Sequence, residues 1–300
     1  MKIKIILNPY ANRWNGQKKI PVIKSAFKDA GLEPDFYILP AAGLGALAAK
    51  KAAKEDYDVI VAAGGDGTVN EVVNGLLEFA GEGPTKPLGV LPIGTGNDFN
   101  DMGGLPRDLF ESVKLVAEGK TKQVDAGQIT MDGRRHYFGN NCALAMEPMV
   151  TIENIYIKRL SGNIRYIVAL LRALRKLKAW NFSFSWNGGS FEGPVILLSV
   201  CNSPRTGGIF PMSPGALMDD GLFDVVWAAD LPFRTVLLLL PKLIRGTHIQ
   251  HPAVTLRQTD FLEVRSSPGT PVHADGEVIS SSASHLRFEV LPEKITVITR

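Results

Sequence analysis

The amino-acid sequence predicts two domains, a parallel α/β domain followed by an antiparallel, β-rich domain. In the first 125 residues, β-branched apolar runs alternate with segments of helical composition. This alternation predicts a parallel sheet with helices on both faces. From about Val124, short apolar runs follow one another between turns that contain Gly, Asn or Asp, as is typical of antiparallel sheets. We therefore divide the chain into residues 1–124 and 125–300.

Four strands and four helices are predicted in the first domain. The strands are Ile3–Leu7, Phe36–Leu39, Val59–Ala63 and Leu88–Leu91. The helices are Val22–Ala30, Leu44–Lys54, Thr68–Phe79 and Leu109–Glu118. The run Val59–Ala63 is apolar throughout, which indicates a strand that is buried on both faces.

The second domain is predicted to contain short strands and two helices. The strands are Phe182–Trp186, Val195–Val200, Phe223–Trp227, Phe261–Arg265, Leu286–Val290 and Ile295–Thr299. Asn187-Gly188 predicts a tight hairpin after the first of them. The helices are predicted at about Ile155–Trp180 and Phe233–Arg245. In the second helix, the apolar stretch Phe233–Leu243 favours a place in the core, with an acyl-binding pocket as the alternative.

Composition and charge exclude several classes of protein. The chain is 45% hydrophobic and 21% charged, and its net charge of +3 does not mark a nucleic-acid binder. Cys142 and Cys201 lack C-x-x-C spacing, so buried free thiols in a reducing compartment are expected. The apolar start is too short for a signal peptide, and Val236–Leu240 is too short to span a bilayer. We expect a cytoplasmic protein that contacts membranes, if at all, from outside.

The strand Val59–Ala63 runs into Gly64-Gly65-Asp66-Gly67-Thr68, and a helix follows. Glycines allow a sharp turn, and the start of a helix presents N–H groups and a positive dipole end to an anion. Thr68 is expected to cap the helix or to bind a phosphate oxygen. Asp66 suits a site where Mg²⁺ lies between its carboxylate and the phosphates, or where Asp66 itself transfers a proton. The alternative is a glycine-rich turn in which Asp66 only starts the helix.

A second loop repeats this design after the strand Leu88–Leu91, in the sequence Pro92–Phe99. It contains Gly94, Thr95 and Asp98. Ligands of such sheets bind beyond the carboxyl ends of the strands. The two loops, together with Asn8 at the end of the first strand, therefore predict one edge of a nucleotide-binding cleft.

Other motifs fit this chain less well. Gly119-Lys120-Thr121 resembles the end of a P-loop, but Lys114 stands where the earlier glycine is required. Gly43–Ala48 fits a dinucleotide-binding pattern, yet it follows the second strand and reads better as the start of an Ala-rich helix. No Gly-x-Ser-x-Gly occurs, which argues against a hydrolase nucleophile elbow. The five histidines lack i, i+4 spacing, which argues against zinc.

The two loops resemble those of the diacylglycerol kinase and sphingosine kinase family, especially its bacterial lipid-kinase branch. Further matches follow in order along almost the whole chain. They are Asn8-Pro9, Gly64–Glu71, Gly208 with Pro211, Asp220-Gly221 and Asp275-Gly276-Glu277. The resemblance implies an N-terminal domain of the NAD kinase and phosphofructokinase type, a C-terminal β-sandwich, and an active site between the domains.

This resemblance also implies the activity and its site residues. The enzyme would phosphorylate a hydroxyl of diacylglycerol or of a related lipid, such as a sphingoid base or a phosphatidylglycerol-like lipid. Its cofactors would be ATP and Mg²⁺. Residues expected to bind ATP are Asn8, Gly64, Gly65, Asp66, Gly67, Thr68, Val69, Asn70, Gly94 and Thr95. Asp66 and Asp98 would serve Mg-nucleotide chemistry, and either Asp275 or Glu277 would take the proton from the lipid hydroxyl.

The resemblance also implies a structural Mg²⁺ site at the turn before the strand Phe223–Trp227. It maps to the carboxylate of Asp220 and the carbonyls of Leu217 and Leu222, and ligation by oxygen alone suits Mg²⁺. A solvated turn at Asp219–Gly221 is the alternative. One departure from the family pattern lies at Asn141–Glu147, where alanines replace two glycines and Glu147 stands for an aspartate.

The segment from Asn154 to Trp180 carries seven basic residues and no acid. They are Lys158, Arg159, Arg165, Arg172, Arg175, Lys176 and Lys178. Apolar residues lie between them at helical spacing, so the segment suits either an anionic membrane surface or a helix packed on the β-domain. A lipid substrate is expected, nucleic acid is not, and a homodimer is compatible with the sequence.

Two other functions remain open from the sequence. An NAD kinase also uses a Gly-Gly-Asp-Gly-Thr loop, but Pro92–Phe99 lacks the Asn-x-Gly-x-x-Gly pattern expected there. A non-catalytic protein that binds nucleotide or lipid is the second alternative. Retention of four carboxylates argues against it, because binding alone does not require all of them. They are Asp66, Asp98, Asp275 and Glu277.

Overall fold

The computed structural model describes residues 1–97, 99–100, 104–157, 160, 162–207 and 210–300, and it leaves the side chains of Arg13, Gly162 and Asn163 undescribed. The chain forms two compact units. The first comprises residues 1–126 and 292–300, and the second comprises residues 127–291. The prediction that residues 1–124 bind nucleotide and residues 125–300 bind the lipid substrate stays a prediction, because the packing of the two units does not show what either one binds. Residues 292–300 pack with the first unit.

A parallel sheet forms the centre of the first unit, as the sequence predicts. Its strands are β1 Ile3–Leu7, β2 Asp35–Ile38, β3 Val59–Gly64 and β4 Leu88–Pro92. They lie in the order β4, β3, β1, β2, and Val297, near the end of the chain, pairs with Leu88 of β4. β3 and β4 are buried along their whole length, which confirms that continuous apolar runs marked central strands.

Four helices connect or follow these strands in the described part of the first unit. They are α1 Ala11–Asp29, α2 Gly45–Lys54, α3 Asp66–Ala80 and α4 Leu109–Glu118. The prediction placed the start of α1 at Val22, eleven residues late. Its first turns contain Asn12 and Trp14 with positive φ, and Pro21 lies inside the helix, so local propensity gives no sign of the true start.

The second unit is built from antiparallel strands, of which the first begins and the last ends among the residues of the first unit. The strands are β5 Thr121–Met131, β6 Arg134–Phe138, β7 Asn141–Ala145, β8 Trp180–Trp186, β9 Gly189–Cys201, β10 Phe223–Ala229, β11 Val254–Thr259, β12 Phe261–Ala274 and β13 Glu277–Ile298. β9 and β12 each pair with β7 along one part and with β8 along another. These long strands therefore continue from one layer into the other, as in the expected β-sandwich. The hairpin predicted at Asn187-Gly188 is confirmed, since Trp186 pairs with Gly189.

Three segments of the predicted second domain differ from the prediction. The helix expected at Ile155–Trp180 is two helices, α5 Met146–Tyr156 and α6 Gly162–Leu174. The chain becomes extended at Ile157, and the Arg165 guanidinium donates to the carbonyl of Asn154, which satisfies the end of α5. The strands expected at Leu286–Val290 and Ile295–Thr299 are parts of the single strand β13.

Helix α7 spans Phe233–Ile244, close to its predicted bounds. The prediction that Phe233–Leu243 lies in the core was wrong for much of the helix. Val236 is buried, whereas Leu238 is 73% exposed and Phe233 48% exposed. Among the residues that the structure describes, no helix is long and apolar enough to cross a bilayer.

Candidate active site

The carboxyl ends of β1, β3 and β4 bring the predicted nucleotide residues of the first unit together. Leu7 pairs with Ala63, and Gly64 pairs with Pro92, so the three strands end at the same edge. Asn8, the loop Gly64–Thr68 and the loop beginning at Gly94 therefore lie side by side. This is the adjacency that the parallel order predicts.

The two glycine loops touch each other. A Cβ atom at Gly94 would lie 2.3 Å from the Gly65 Cα, and one at Gly65 would lie 3.2 Å from the Gly94 Cα. The backbone N–H of Phe99 donates to Asp66 Oδ1 at 3.2 Å, which links the second loop to the first turn of α3. Asn97 holds the second loop internally, because its Oδ1 accepts the N–H of Gly94 at 3.1 Å.

Thr68 does not cap α3. Gly65 occupies the N-cap position, and its carbonyl accepts the N–H of Thr68 at 2.9 Å. The Thr68 hydroxyl instead accepts from Asn8 Nδ2 at 3.0 Å, which ties the end of β1 to the glycine loop. Thr68 is buried, and a Cβ at Gly64 would lie 2.2 Å from its Oγ1, so Gly64 leaves the space that this hydroxyl occupies.

Glu71, in the sequence Gly-Gly-Asp-Gly-Thr-Val-Asn-Glu, has a role that the sequence analysis missed. Its carboxylate accepts the N–H of Gly43 at 3.0 Å and the N–H of Gly45 at 2.5 Å. It therefore supplies negative charge at the start of α2, where the dipole favours it. This contact attaches α2 to α3 and confirms that Gly43–Ala48 starts a helix.

The remaining predicted residues of the first unit have different environments. Val69 and Asn70 are buried in α3, whereas Thr95 is exposed. Asp98 lies outside the described residues, as does Gly208 of the second unit. The roles predicted for all of these residues stay predictions.

The close approach of the two glycine loops gives a test of stability. We expect Gly94→Ala to lower the free energy of unfolding by about 1–3 kcal/mol, because the new methyl group must displace the backbone of Gly65. Gly83→Ala is the matched control, since its added Cβ has only the Ala80 carbonyl oxygen nearby, at 3.9 Å. Urea unfolding of both variants measures the difference, and equal stability would contradict the described contact.

In the second unit, Asp275 and Gly276 form the two-residue turn between β12 and β13. Both have positive φ, +47° and +83°, as in a type I′ turn. The Asp275 carboxylate accepts three backbone N–H groups, from Gly139 at 2.8 Å, Asn140 at 2.8 Å and Asn141 at 3.0 Å. The N–H of Asp275 donates back to the Asn141 carbonyl at 2.8 Å.

This geometry distinguishes two carboxylates that the sequence leaves equivalent. Both oxygens of Asp275 accept backbone N–H groups, so Asp275 fastens the turn to residues 139–141. Glu277 is the first residue of β13, pairs with Ala274 and is exposed. The dipeptide Asp275-Gly276 was itself a signal for this turn, because Asp-Gly favours type I′ hairpins.

A buried polar cluster centred on Glu147 lies next to the turn. Glu147 Oε1 accepts from Asn141 Nδ2 at 2.8 Å and from the Thr206 hydroxyl at 2.5 Å, and Oε2 accepts from the Ser199 hydroxyl at 3.0 Å. His273 Nε2 lies 3.2 Å from Oε1. Burial by itself would raise the pKa of Glu147. The contacts with His273, Thr206 and Asn141 outweigh this effect and lower the pKa, so Glu147 is ionised at neutral pH.

An apolar pocket extends from this cluster beneath the helices of the second unit. At one end it is lined by Glu147, Thr206, His273 and Gly276. A second pocket adjoins it between α6, α7 and the sheet, and the described side chains that line this second pocket are apolar apart from His248. The two pockets share Met146, Leu170, Leu197, Met212 and Leu243. The second unit thus offers a long apolar site whose polar end lies at the turn that precedes Glu277.

The predicted metal residues Leu217, Asp220 and Leu222 lie in an exposed turn before β10. Asp220 Oδ1 accepts the N–H of Leu222 at 3.1 Å, and Gly221 has a φ of +72°. The carboxylate therefore organises its own turn. Across the described part of the chain, no three side chains of His, Cys, Asp or Glu form a group that could hold a metal ion.

Comparison with known proteins assigns the family. Residues 2–129 match the diacylglycerol kinase catalytic domain, and residues 142–299 match the YegS C-terminal NAD kinase beta sandwich-like domain. The diacylglycerol kinase of Staphylococcus carnosus strain TM300 is 30% identical over 278 residues, which cover 92% of this chain and 88% of that protein. The chain belongs to the diacylglycerol kinase family. Membership confirms the resemblance described above and, with it, the prediction of a lipid kinase.

Other relatives agree with this assignment. The diacylglycerol kinase of Staphylococcus aureus strain MRSA252 is also 30% identical, over 92% of this chain and 86% of that protein. A diacylglycerol kinase structure from Bacillus anthracis strain Sterne has a TM-score of 0.74 at 20% identity and covers 100% of this chain and 97% of that one. Yeast NADH kinase complexed with NADH has a TM-score of 0.55 at 11% identity, over 100% and 84% of the two chains. These two structures confirm the fold, including its likeness to NAD kinases.

Proposed function

We propose that this kinase transfers the γ-phosphoryl group of ATP to a hydroxyl of diacylglycerol or of a closely related lipid. The proposal of a lipid acceptor is supported by the apolar pocket of the second unit, whose polar end lies at the turn before Glu277. An acyl chain in the pocket is shielded from water, and burial of each CH₂ group contributes about 0.8 kcal/mol. The lipid hydroxyl then remains at the polar end.

The nucleotide belongs to the first unit in this proposal. The phosphates lie against the loops Gly64–Thr68 and Gly94–Asn97, where the start of α3 favours negative charge. Asn8 contributes indirectly, because its Nδ2 donates a hydrogen bond to the Thr68 hydroxyl at 3.0 Å and so fixes the glycine loop. The touching glycines set the spacing of the two loops, because no side chain fits between them.

Two sets of oxygen donors suit Mg²⁺. Asp66 lies on the phosphate loop, where an acidic side chain is useful beside phosphates when a cation lies between them. At the second set, the exposed turn leaves room for the waters that Mg²⁺ retains around the Asp220 carboxylate and the carbonyls of Leu217 and Leu222. When bound, Mg²⁺ neutralises charge that develops on the transferred phosphoryl group.

Glu277 is the proposed catalytic base. Phosphoryl transfer needs a carboxylate within reach of the attacking hydroxyl, and Glu277 follows the turn that lines the polar end of the pocket. It takes the hydroxyl proton while the hydroxyl oxygen bonds to the γ-phosphorus and the bond to the β–γ bridging oxygen of ATP breaks. Asp275 holds the turn and takes no proton.

An exposed surface of the second unit is the proposed contact with an anionic membrane. Exposed apolar side chains of α6 and α7 form it, namely Ile164, Ile167, Leu171, Phe233, Leu237 and Leu238. The flanking cations on these helices or just after them are Arg172, Arg175, Lys178, Arg234, Lys242 and Arg245. The sequences 154–191 and 231–250 contain basic residues and no acidic one, which favours contact with an anionic bilayer. Lys158 and Arg159, included in the sequence prediction, lie outside the described residues.

Vesicle sedimentation tests this surface. We expect Leu238→Ser to weaken binding to phosphatidylglycerol-containing vesicles by about 10- to 100-fold, because an exposed leucine that inserts into the bilayer contributes about 1.5–3 kcal/mol. Leu47→Ser, a leucine of α2 that is 68% exposed, is the matched control. Equal binding of intact protein to neutral and anionic vesicles, or equal effects of the two variants, would contradict the proposed docking.

An acceptor panel tests the proposed substrate. Diacylglycerol, monoacylglycerol, a sphingoid base and phosphatidylglycerol are presented in identical mixed vesicles with Mg-ATP, and kcat/KM is measured for each. We expect the highest value for diacylglycerol. NAD is tested in parallel for phosphorylation, because the fold is shared with NADH kinase. Phosphorylation of NAD without transfer to any lipid would replace the proposed function by that of an NAD kinase.

A further inference from the structure

The turn Asp275–Gly276, which precedes Glu277, is held by hydrogen bonds at each of its two residues. Both sets of contacts lead to the buried carboxylate of Glu147. The first connection runs through Asn141. Its side-chain amide donates to Glu147 at 2.8 Å, its N–H donates to the Asp275 carboxylate at 3.0 Å, and its carbonyl accepts the N–H of Asp275 at 2.8 Å. Asn141 therefore joins Glu147 to the first residue of the turn.

The second connection runs through His273. Its Nδ1 accepts the N–H of Gly276 at 3.3 Å, so Nδ1 carries no proton and the proton of the neutral ring lies on Nε2. Nε2 lies 3.2 Å from Glu147 Oε1, within hydrogen-bonding reach although imperfectly aligned. Glu147 favours this tautomer, because its carboxylate only accepts hydrogen bonds. His273 therefore joins Glu147 to the second residue of the turn.

We propose that His273 is a positioning residue: its Nδ1 fixes the Asp275–Gly276 turn and thereby holds Glu277 at the lipid hydroxyl, while its contact with Glu147 contributes to stability. This inference rests on the proposed role of Glu277 as the base. Neither residue exchanges a proton with the substrate. His273 is 1% exposed and Glu147 is 8% exposed, and the donors around Glu147 keep its carboxylate in one orientation.

Two substitutions at one position separate the two contacts of His273. In His273→Asn, the amide oxygen takes the place of Nδ1, so the acceptor for Gly276 remains and the contact with Glu147 is lost. In His273→Gln, the amide nitrogen takes the place of Nε2, so the contact with Glu147 remains and the acceptor for Gly276 is lost. The first variant leaves a buried carboxylate short of one partner, whereas the second loosens the turn.

The proposal therefore predicts opposite rankings for stability and for turnover. We expect His273→Asn to have the lower melting temperature but a kcat within about threefold of the intact protein, since a shift well below 1 Å costs far less than 100-fold. We expect His273→Gln to keep the higher melting temperature but to lose about 10- to 100-fold in kcat, with the KM for ATP unchanged. A purely structural histidine would make the two rankings agree.

The rate of hydrogen exchange at the Gly276 amide measures how firmly the turn is held. This measurement does not depend on catalytic activity. We expect faster exchange in His273→Gln than in His273→Asn. If the intact protein phosphorylates no acceptor, the proposed function fails, while the exchange rates still decide whether His273 holds the turn. Equal exchange in the two variants, or kcat values that follow their melting temperatures, would overturn the proposal.

Discussion

Asp66→Asn is expected to lower kcat at least about 100-fold while leaving the fold intact. The Asp66 carboxylate lies in the first turn of α3 and accepts the N–H of Phe99 at 3.2 Å. Asparagine retains an oxygen for that hydrogen bond but loses the negative charge. In the proposed mechanism, this charge attracts the cation that neutralises the phosphates, a contribution of several kcal/mol to the transition state.

The measurement is the initial rate of phosphate transfer at saturating Mg-ATP, with circular dichroism to verify the fold. Glu111→Gln is the matched control, because Glu111 is also an acid in the first turn of a helix of the first unit, α4, and is exposed. We expect this control to retain full activity. An Asp66→Asn variant with the activity of the intact protein would remove Asp66 from the mechanism.

A second large effect is expected from substitution of Glu277, and it should differ in kind from the effect of substituting Asp275. Glu277→Gln should lower kcat by about 10²- to 10⁴-fold, the usual range for loss of a general base, with no change in the free energy of unfolding. Glu277 is exposed, so its amide analogue keeps a polar group of the same size in contact with water.

Asp275→Asn should act mainly on stability. One oxygen of Asp275 accepts from Asn140 and Asn141, and the other accepts from Gly139. Asparagine offers only one oxygen, and its NH₂ group then faces an N–H donor. We expect a loss of about 1–3 kcal/mol in the free energy of unfolding, measured in urea. If Asp275→Asn unfolds like the intact protein while Glu277→Gln keeps full kcat, the assignment of the two roles is wrong.

The first unit was largely predictable from the sequence because its signals are local. Val59–Ala63 and Leu88–Leu91 are apolar runs, and each is followed by a loop that contains glycines. Parallel strands end at one edge of their sheet, so the proximity of Asp66 to the second loop followed from strand order alone. The start of α1 was not predictable, because Asn12 and Trp14 have positive φ and Pro21 lies inside the helix, which local propensity does not anticipate.

The centre of the second unit was not predictable, because its residues meet only after folding. Ser199, Thr206 and His273 lie far from Glu147 along the chain, and no periodicity links the nearby Asn141 to it. The sequence identified Glu147 only as a departure from the family pattern.

Helix α7 illustrates a different limit of sequence analysis. An unbroken run of leucines has the same appearance whether it contacts a core, lines a pocket or meets solvent. Leu240 lines the pocket, whereas Leu238 is exposed. Only the packing of α7 against the sheet distinguishes these positions.

The most direct test of the central claim is to follow labelled γ-phosphate from Mg-ATP in the presence of diacylglycerol vesicles. We predict that label enters the organic phase as phosphatidic acid with the intact protein, and that Asp66→Asn and Glu277→Gln reduce this transfer to near background. The contradictory result is a protein that binds ATP, retains its fold and transfers no label to diacylglycerol or to any other lipid hydroxyl.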